Sequence, residues 1–141
     1  MAWNAAHRPM DGEEDMIAIG VGCRRGVPKE AITKLIAEAL ARVSLAPQAT
    51  ALFTYEGKKS EAGLVGAAEE LRMSLHFLSL EALQAMADRV TTRSLAVEKA
   101  LGLPSVAEAS ALAGCGRGAH LLLPRITGDG VTCAIAKRGD E

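Results

Sequence analysis

Met16-Ile17-Ala18-Ile19-Gly20-Val21-Gly22-Cys23-Arg24-Arg25-Gly26 is the stretch that decides the fold. Its first six residues are an apolar run that ends among glycines, the pattern of a buried strand. Gly22 to Gly26 then makes a glycine-bounded turn carrying Cys23, Arg24 and Arg25. Pro28 stands where the first turn of a helix tolerates a missing N–H. Beyond it Ala31, Ile32, Leu35, Ile36, Ala39, Leu40 and Val43 recur at helical spacing, with Lys29, Lys34, Glu38 and Arg42 off the stripe. Pro47 closes this strand-turn-helix unit.

The same alternation continues downstream. Ala49 to Tyr55 reads as a second strand, and Gly57 to Glu61 as a polar loop whose Ser60 can cap the next helix. Leu64, Ala67, Ala68 and Leu71 form that helix's apolar face. Leu75 to Leu78 reads as a third strand, after which Ser79 caps a short helix. A further helix around Leu95, Val97 and Leu101 ends at Gly102. Pro104-Ser105 opens another, with Val106, Ala109, Leu112 and Ala113 on one side and Gly114 and Gly116 at its end. Two short apolar runs, His120 to Leu123 and Val131 to Ala136, flank Gly128-Asp129-Gly130, a hairpin signal. Residues 16–138 therefore read as a single α/β domain: a mostly parallel sheet flanked by helices, with an antiparallel C-terminal hairpin. Residues 1–15 read as a flexible N-terminal arm, with Trp3 in it and no apolar signal core.

Composition narrows the function classes. The chain has 141 residues, 49% of them hydrophobic, which suits one domain able to bury a core without disulfide or metal. A net charge of −1 argues against a nucleic-acid surface, and 3% aromatics leaves little for a stacking platform. No apolar run approaches the length of a membrane helix. Three cysteines without Cys-x-x-Cys spacing point to a reducing, cytoplasmic setting and to no metal site. No cofactor is implied. Gly20-x-Gly22-x-x-x-Gly26 misses the dinucleotide fingerprint by one residue.

Ligands of open α/β sheets bind beyond the carboxyl ends of the strands. Three polar loops fall there: Gly22 to Gly26 with Arg24 and Arg25, Lys58-Lys59-Ser60-Glu61, and the loop around Pro124-Arg125. Each carries a cation, and helix N-termini beside them favour anions, so a ligand with several carboxylates or phosphates fits. The bland alternative is solvated loop charge. Cys23, beside two arginines, reads as a thiol whose pKa can be lowered, or as a small residue in a tight turn. Glu108 has capping-box spacing from Ser105, with a ligand-facing carboxylate as the alternative.

Four segments in series carry a resemblance. They are Gly20 to Gly26; Lys58 followed by Glu61-Ala62-Gly63-Leu64; Gly102-Leu103-Pro104-Ser105-Val106-Ala107-Glu108-Ala109; and Leu123-Pro124-Arg125 with Gly130 to Ala136. Over Met16 to Lys137 the chain resembles the CobE family, which is similar to the C-terminal domain of CbiG of cobalamin biosynthesis. The resemblance implies a small α/β domain serving the corrin-ring pathway, with a precorrin, a tetrapyrrole intermediate, as ligand and other cobalamin-pathway enzymes as partners. It implies ligand contacts at Gly22, Cys23, Arg24, Arg25, Lys58, Ser60, Glu61, Ser105, Glu108, Arg125 and Thr132. Arg125 replaces the lysine common in the family. CbiG opens a precorrin lactone with loss of acetaldehyde. A CbiG-like hydrolase using Cys23, Glu61 or Glu108 is therefore the alternative to a binding protein, and a non-catalytic partner of a precorrin methyltransferase is a third.

Overall fold

The structure, a computed structural model, describes residues 17–43 and 50–138. The N-terminal arm, Pro47 and Ala49 lie outside the described residues. Strands β1 (Ile17–Cys23), β2 (Thr50–Tyr55) and β3 (Ser74–Leu78) alternate with helices α1 (Lys29–Arg42) and α2 (Ala62–Leu71). Helices α3 (Leu80–Gln84), α4 (Leu95–Leu101) and α5 (Val106–Cys115) follow, then strands β4 (Ala119–Gly128) and β5 (Val131–Arg138). The sheet order is β3-β2-β1-β5-β4. β1, β2 and β3 are parallel, whereas β5 runs antiparallel to both β1 and β4. The expected α/β architecture with its C-terminal hairpin is what the chain forms.

The alternation within β1 sets the layers. Ile17, Ile19 and Val21 join Ile32, Leu35 and Ile36 of α1 and Leu64 and Ala67 of α2 in one core on one face. Ala18 and Gly20 present almost no side chain to the other face, where α5 lies. A Cβ at Gly20 would stand 1.9 Å from the Ala107 carbonyl oxygen, so the helix rests on the strand backbone itself. Gly114, expected to end α5, instead sits inside it under Phe53, whose ring a Cβ would meet at 2.4 Å. Gly116, at φ 93°, makes the actual stop. Helix α5 is buried over Val106 to Leu112 rather than on one side. The sheet covers one flank, and Leu83, Leu103, Val97 and Leu101 of the α3–α4 layer cover the other.

The hairpin turns at Asp129 (φ 53°) and Gly130 (φ 83°), the left-handed pair that a tight two-residue turn requires. One expectation is corrected here. Pro124-Arg125 is not a loop but lies within β4, where the register slips between Leu123 and Ile126. An edge strand tolerates proline at such an irregularity because no ladder N–H is lost.

Candidate functional site

The loop after β1 is gripped from two sides. Arg24 N–H donates to the Gly130 carbonyl at 2.9 Å, tying the loop to the hairpin turn. Gly26, at φ 77°, turns its N–H toward Glu61, whose Oε1 accepts it at 2.8 Å. Gly63 lies so close beneath Val27 that a Cβ would stand 2.4 Å from its carbonyl oxygen. Between this loop and the Glu56–Lys58 turn runs an open groove of about 850 Å³. Arg25, Lys29 and Lys58 line it, with Ser60 and Glu61, and Glu61 is the one acid among the lining residues.

Both helices that border the groove start without a side-chain cap. Pro28 and Lys29 at the start of α1 and Glu61, Ala62 and Gly63 at the start of α2 all line the groove, so the positive dipole ends of two helices border it. Ser60 was expected to cap α2 and does not; Glu61 takes the N-cap position and spends its carboxylate on Gly26 instead. Lys29 stands 3.3 Å from Glu70, with both side chains half exposed, an ion pair of small worth.

Cys23 ends β1 next to this groove, half-buried. Burial pushes its thiol up, Lys58 opposes that and Glu61 adds to it. Of the two readings of Cys23, the raised thiol favours a small residue in a tight turn: desolvation prevails, and the cation that opposes it is Lys58 rather than the arginines beside it in sequence. Cys115 and Cys133 are sealed in the core, pushed up by burial to about 11 and about 12.

Glu108 occupies a second place, on the α5 face. It is fully buried. Its carboxylate accepts the N–H groups of Thr91 (2.6 Å), Thr92 (3.2 Å) and Arg125 (2.8 Å), and both threonine hydroxyls. Burial alone would raise its pKa, but these donors outweigh it and hold the carboxyl below the usual range. Half of the expected capping box exists, since Ser105 Oγ accepts from Glu108 N–H at 3.2 Å. The return bond is diverted to the 91–92 segment and to β4.

The residues singled out in the sequence thus divide. Arg25, Lys58, Ser60 and Glu61 line the groove, and Cys23 lies near enough to Lys58 and Glu61 to feel their charges. Arg24 lies against Gly130. Ser105, Glu108 and Arg125 meet on the α5 side, where Arg125 Nη2 donates to the Arg93 carbonyl. Gly22 and Thr132 pair between the two, Thr132 Oγ1 reaching the Gly22 carbonyl at 3.4 Å. Sequence reasoning overlooked Lys29, whose position directly after Pro28 was the available signal. It also overlooked Thr91-Thr92, a hydroxyl pair seventeen and sixteen residues before Glu108 with no motif to mark it. Among the described residues no group of three or more His, Cys, Asp or Glu could hold a metal ion, and no helix is long and apolar enough to cross a membrane.

Comparison with known proteins now places the chain. The family described as cobalamin synthesis G C-terminus matches residues 17–136. A protein of Sinorhizobium sp named Protein CobE is 31% identical over 121 residues, spanning 85% of this chain and 79% of that protein. The solved structure of CobE, a protein from the cobalamin (vitamin B12) biosynthetic pathway, superposes with a TM-score of 0.86 at 31% identity, covering 97% of this chain and 99% of that one. Cobalamin biosynthesis protein chiG from Agrobacterium tumefaciens str. C58 follows at 0.72 and 38% identity, covering 89% of this chain and 100% of its own. A cobalamin biosynthesis protein G homolog from Sulfolobus solfataricus shares the fold at 0.62 and 24% identity, over 90% of this chain and 38% of its own. With a family match over almost all the described residues and relatives at this identity, the chain belongs to the cobalamin synthesis G C-terminus family of cobalamin biosynthesis proteins.

Proposed function

We propose that the protein binds a precorrin intermediate of cobalamin biosynthesis in the cytoplasm, holding it by its carboxylate side chains in the groove between the loop after β1 and the start of α2. One observation carries this reading: Arg25, Lys29 and Lys58 converge there with two uncapped helix N-termini, against a single acid. Acetate and propionate groups fringe a precorrin, and cations aided by backbone N–H groups suit them. The groove is open and nearly free of aromatic surface, so the macrocycle is held by its rim rather than by stacking.

Binding is favoured over lactone hydrolysis by the state of the candidate groups. Burial pushes the Cys23 thiol up, away from the thiolate a nucleophile needs, the Glu108 carboxylate is saturated by donors within the fold, and Glu61 is engaged by the Gly26 N–H. Titration of the purified protein with a panel of precorrin intermediates, followed by visible absorption, tests the reading. A near-stoichiometric spectral shift that weakens in Arg25→Ala and Lys58→Ala is expected. No shift across the panel overturns it, and co-purification with a precorrin methyltransferase without ligand binding would favour the partner role.

A further inference from the structure

Glu61 has an unusual orientation for an N-cap residue. Its carboxylate makes no bond to its own helix but crosses the groove to the N–H of Gly26 on the opposite wall. It is also the only acid among the described residues lining the groove, set among Arg25, Lys29 and Lys58. The groove thus already contains one carboxylate, and it is the protein's own.

We propose that Glu61 stands in for a ligand carboxylate, holding the Gly26 N–H until a ligand bearing several carboxylates displaces it. This inference rests on the groove being the ligand site. Its consequence is a floor on affinity. A monocarboxylate that replaces Glu61 exchanges one charge-assisted hydrogen bond for another and gains nothing. Glu61, tethered to the same loop cluster, competes at an effective concentration of roughly millimolar or more. A polycarboxylate pays for the exchange once and adds bonds to Arg25, Lys29 and Lys58 that a small anion cannot make together. Glu61 therefore sets a threshold in carboxylate number, and the released Gly26 N–H is filled by the ligand rather than left bare.

The test compares the native chain with Glu61→Gln and Glu61→Ala by calorimetric titration. The probes are acetate (a monocarboxylate), tricarballylate (a tricarboxylate) and uroporphyrin (an octacarboxylated tetrapyrrole). Both variants are expected to bind uroporphyrin roughly tenfold more tightly than the native chain, the effect of removing one competing charge-assisted bond. Acetate and tricarballylate are expected to gain by the same factor as uroporphyrin, since each displaces Glu61 once, so the variants register ligands too weak for the native chain. If the native chain binds uroporphyrin and both variants bind it equally or more weakly while keeping the native circular dichroism, Glu61 supports the loop rather than competing with ligand, and this inference falls alone. If neither the native chain nor the variants bind uroporphyrin, and Arg25→Ala and Lys58→Ala change nothing, the groove reading falls and takes this inference with it.

Discussion

Glu61 and Glu108 perform the same local act in opposite surroundings. Each accepts a backbone N–H from a segment distant in sequence, Gly26 in one case and Thr91, Thr92 and Arg125 in the other. Glu61 does so at the rim of an open groove, where water can replace its partner. Glu108 does so with no exposure at all. A buried carboxylate is tolerable only when its oxygens are satisfied, which is why the fold delivers three N–H groups and two hydroxyls to it. The exposed one needs only a single donor, and so remains free to exchange. Glu108 is a joint of the fold and Glu61 a movable part of the site.

The largest effect separates them by stability. Glu108→Ala leaves the N–H groups of Thr91, Thr92 and Arg125 without their acceptor in a dry site, and is expected to cost about 3–5 kcal/mol in urea unfolding. A loss below about 1 kcal/mol would erase the distinction. Glu61→Gln, at the groove rim, is expected to cost under about 1 kcal/mol by the same measurement.

Acid sharpens the contrast. The folded Glu108 carboxyl lies below its ordinary value, so its contribution is fully present above the unfolded carboxyl value, about 4.3, and is lost as pH falls through the lowered folded value. The native chain should therefore lose stability between neutral pH and about pH 3 more steeply than Glu108→Gln, read from urea midpoints across that range. Parallel pH profiles would contradict this assignment.

How far the sequence revealed this arrangement depended on the range of the interaction. Asp129-Gly130 and Ser79 were legible because a tight turn and a helix cap are made by neighbours: both sit where expected, Ser79 Oγ accepting from Ala82 N–H at 3.1 Å. The βα order was legible because strand and helix periods are local. Glu108 was only half legible. Its bond to Ser105 lies within one helical turn, but Thr91-Thr92 and Arg125 arrive by tertiary packing that no spacing encodes. Pro124-Arg125 suggested a loop, because proline punctuates chains, yet an edge strand absorbed it at an irregular register. At the groove, Arg25 and Lys58 of the first two loops come together because parallel strands deliver consecutive loops to one edge, while Arg24 lies against Gly130 and Lys59 is not among the lining residues. Arg125 was grouped with them by the same rule, but its contacts place it on the α5 side, against Glu108 and Arg93.

The smallest expected effect concerns the half-buried Cys23 thiol. Burial raises the Cys23 pKa, with Lys58 pulling it down and Glu61 pushing it up. At a fixed mildly alkaline pH, Lys58→Ala should slow iodoacetamide labelling of Cys23 and Glu61→Gln should hasten it, each by about twofold, since only the thiolate reacts. Equal rates in the two variants would remove both groups from the thiol's surroundings.

Cys23 also offers the most direct test of the groove as the ligand site. Cys115 and Cys133 are buried, so labelling of the native chain reports on Cys23 alone. With uroporphyrin at saturating concentration, Cys23 labelling should fall by about tenfold or more in the native chain, because Cys23 stands two residues before Arg25 and within reach of the Lys58 charge, so a macrocycle held by both hinders the thiol. Demonstrated uroporphyrin binding with an unchanged labelling rate would contradict the account, for the ligand would then be held elsewhere on the protein.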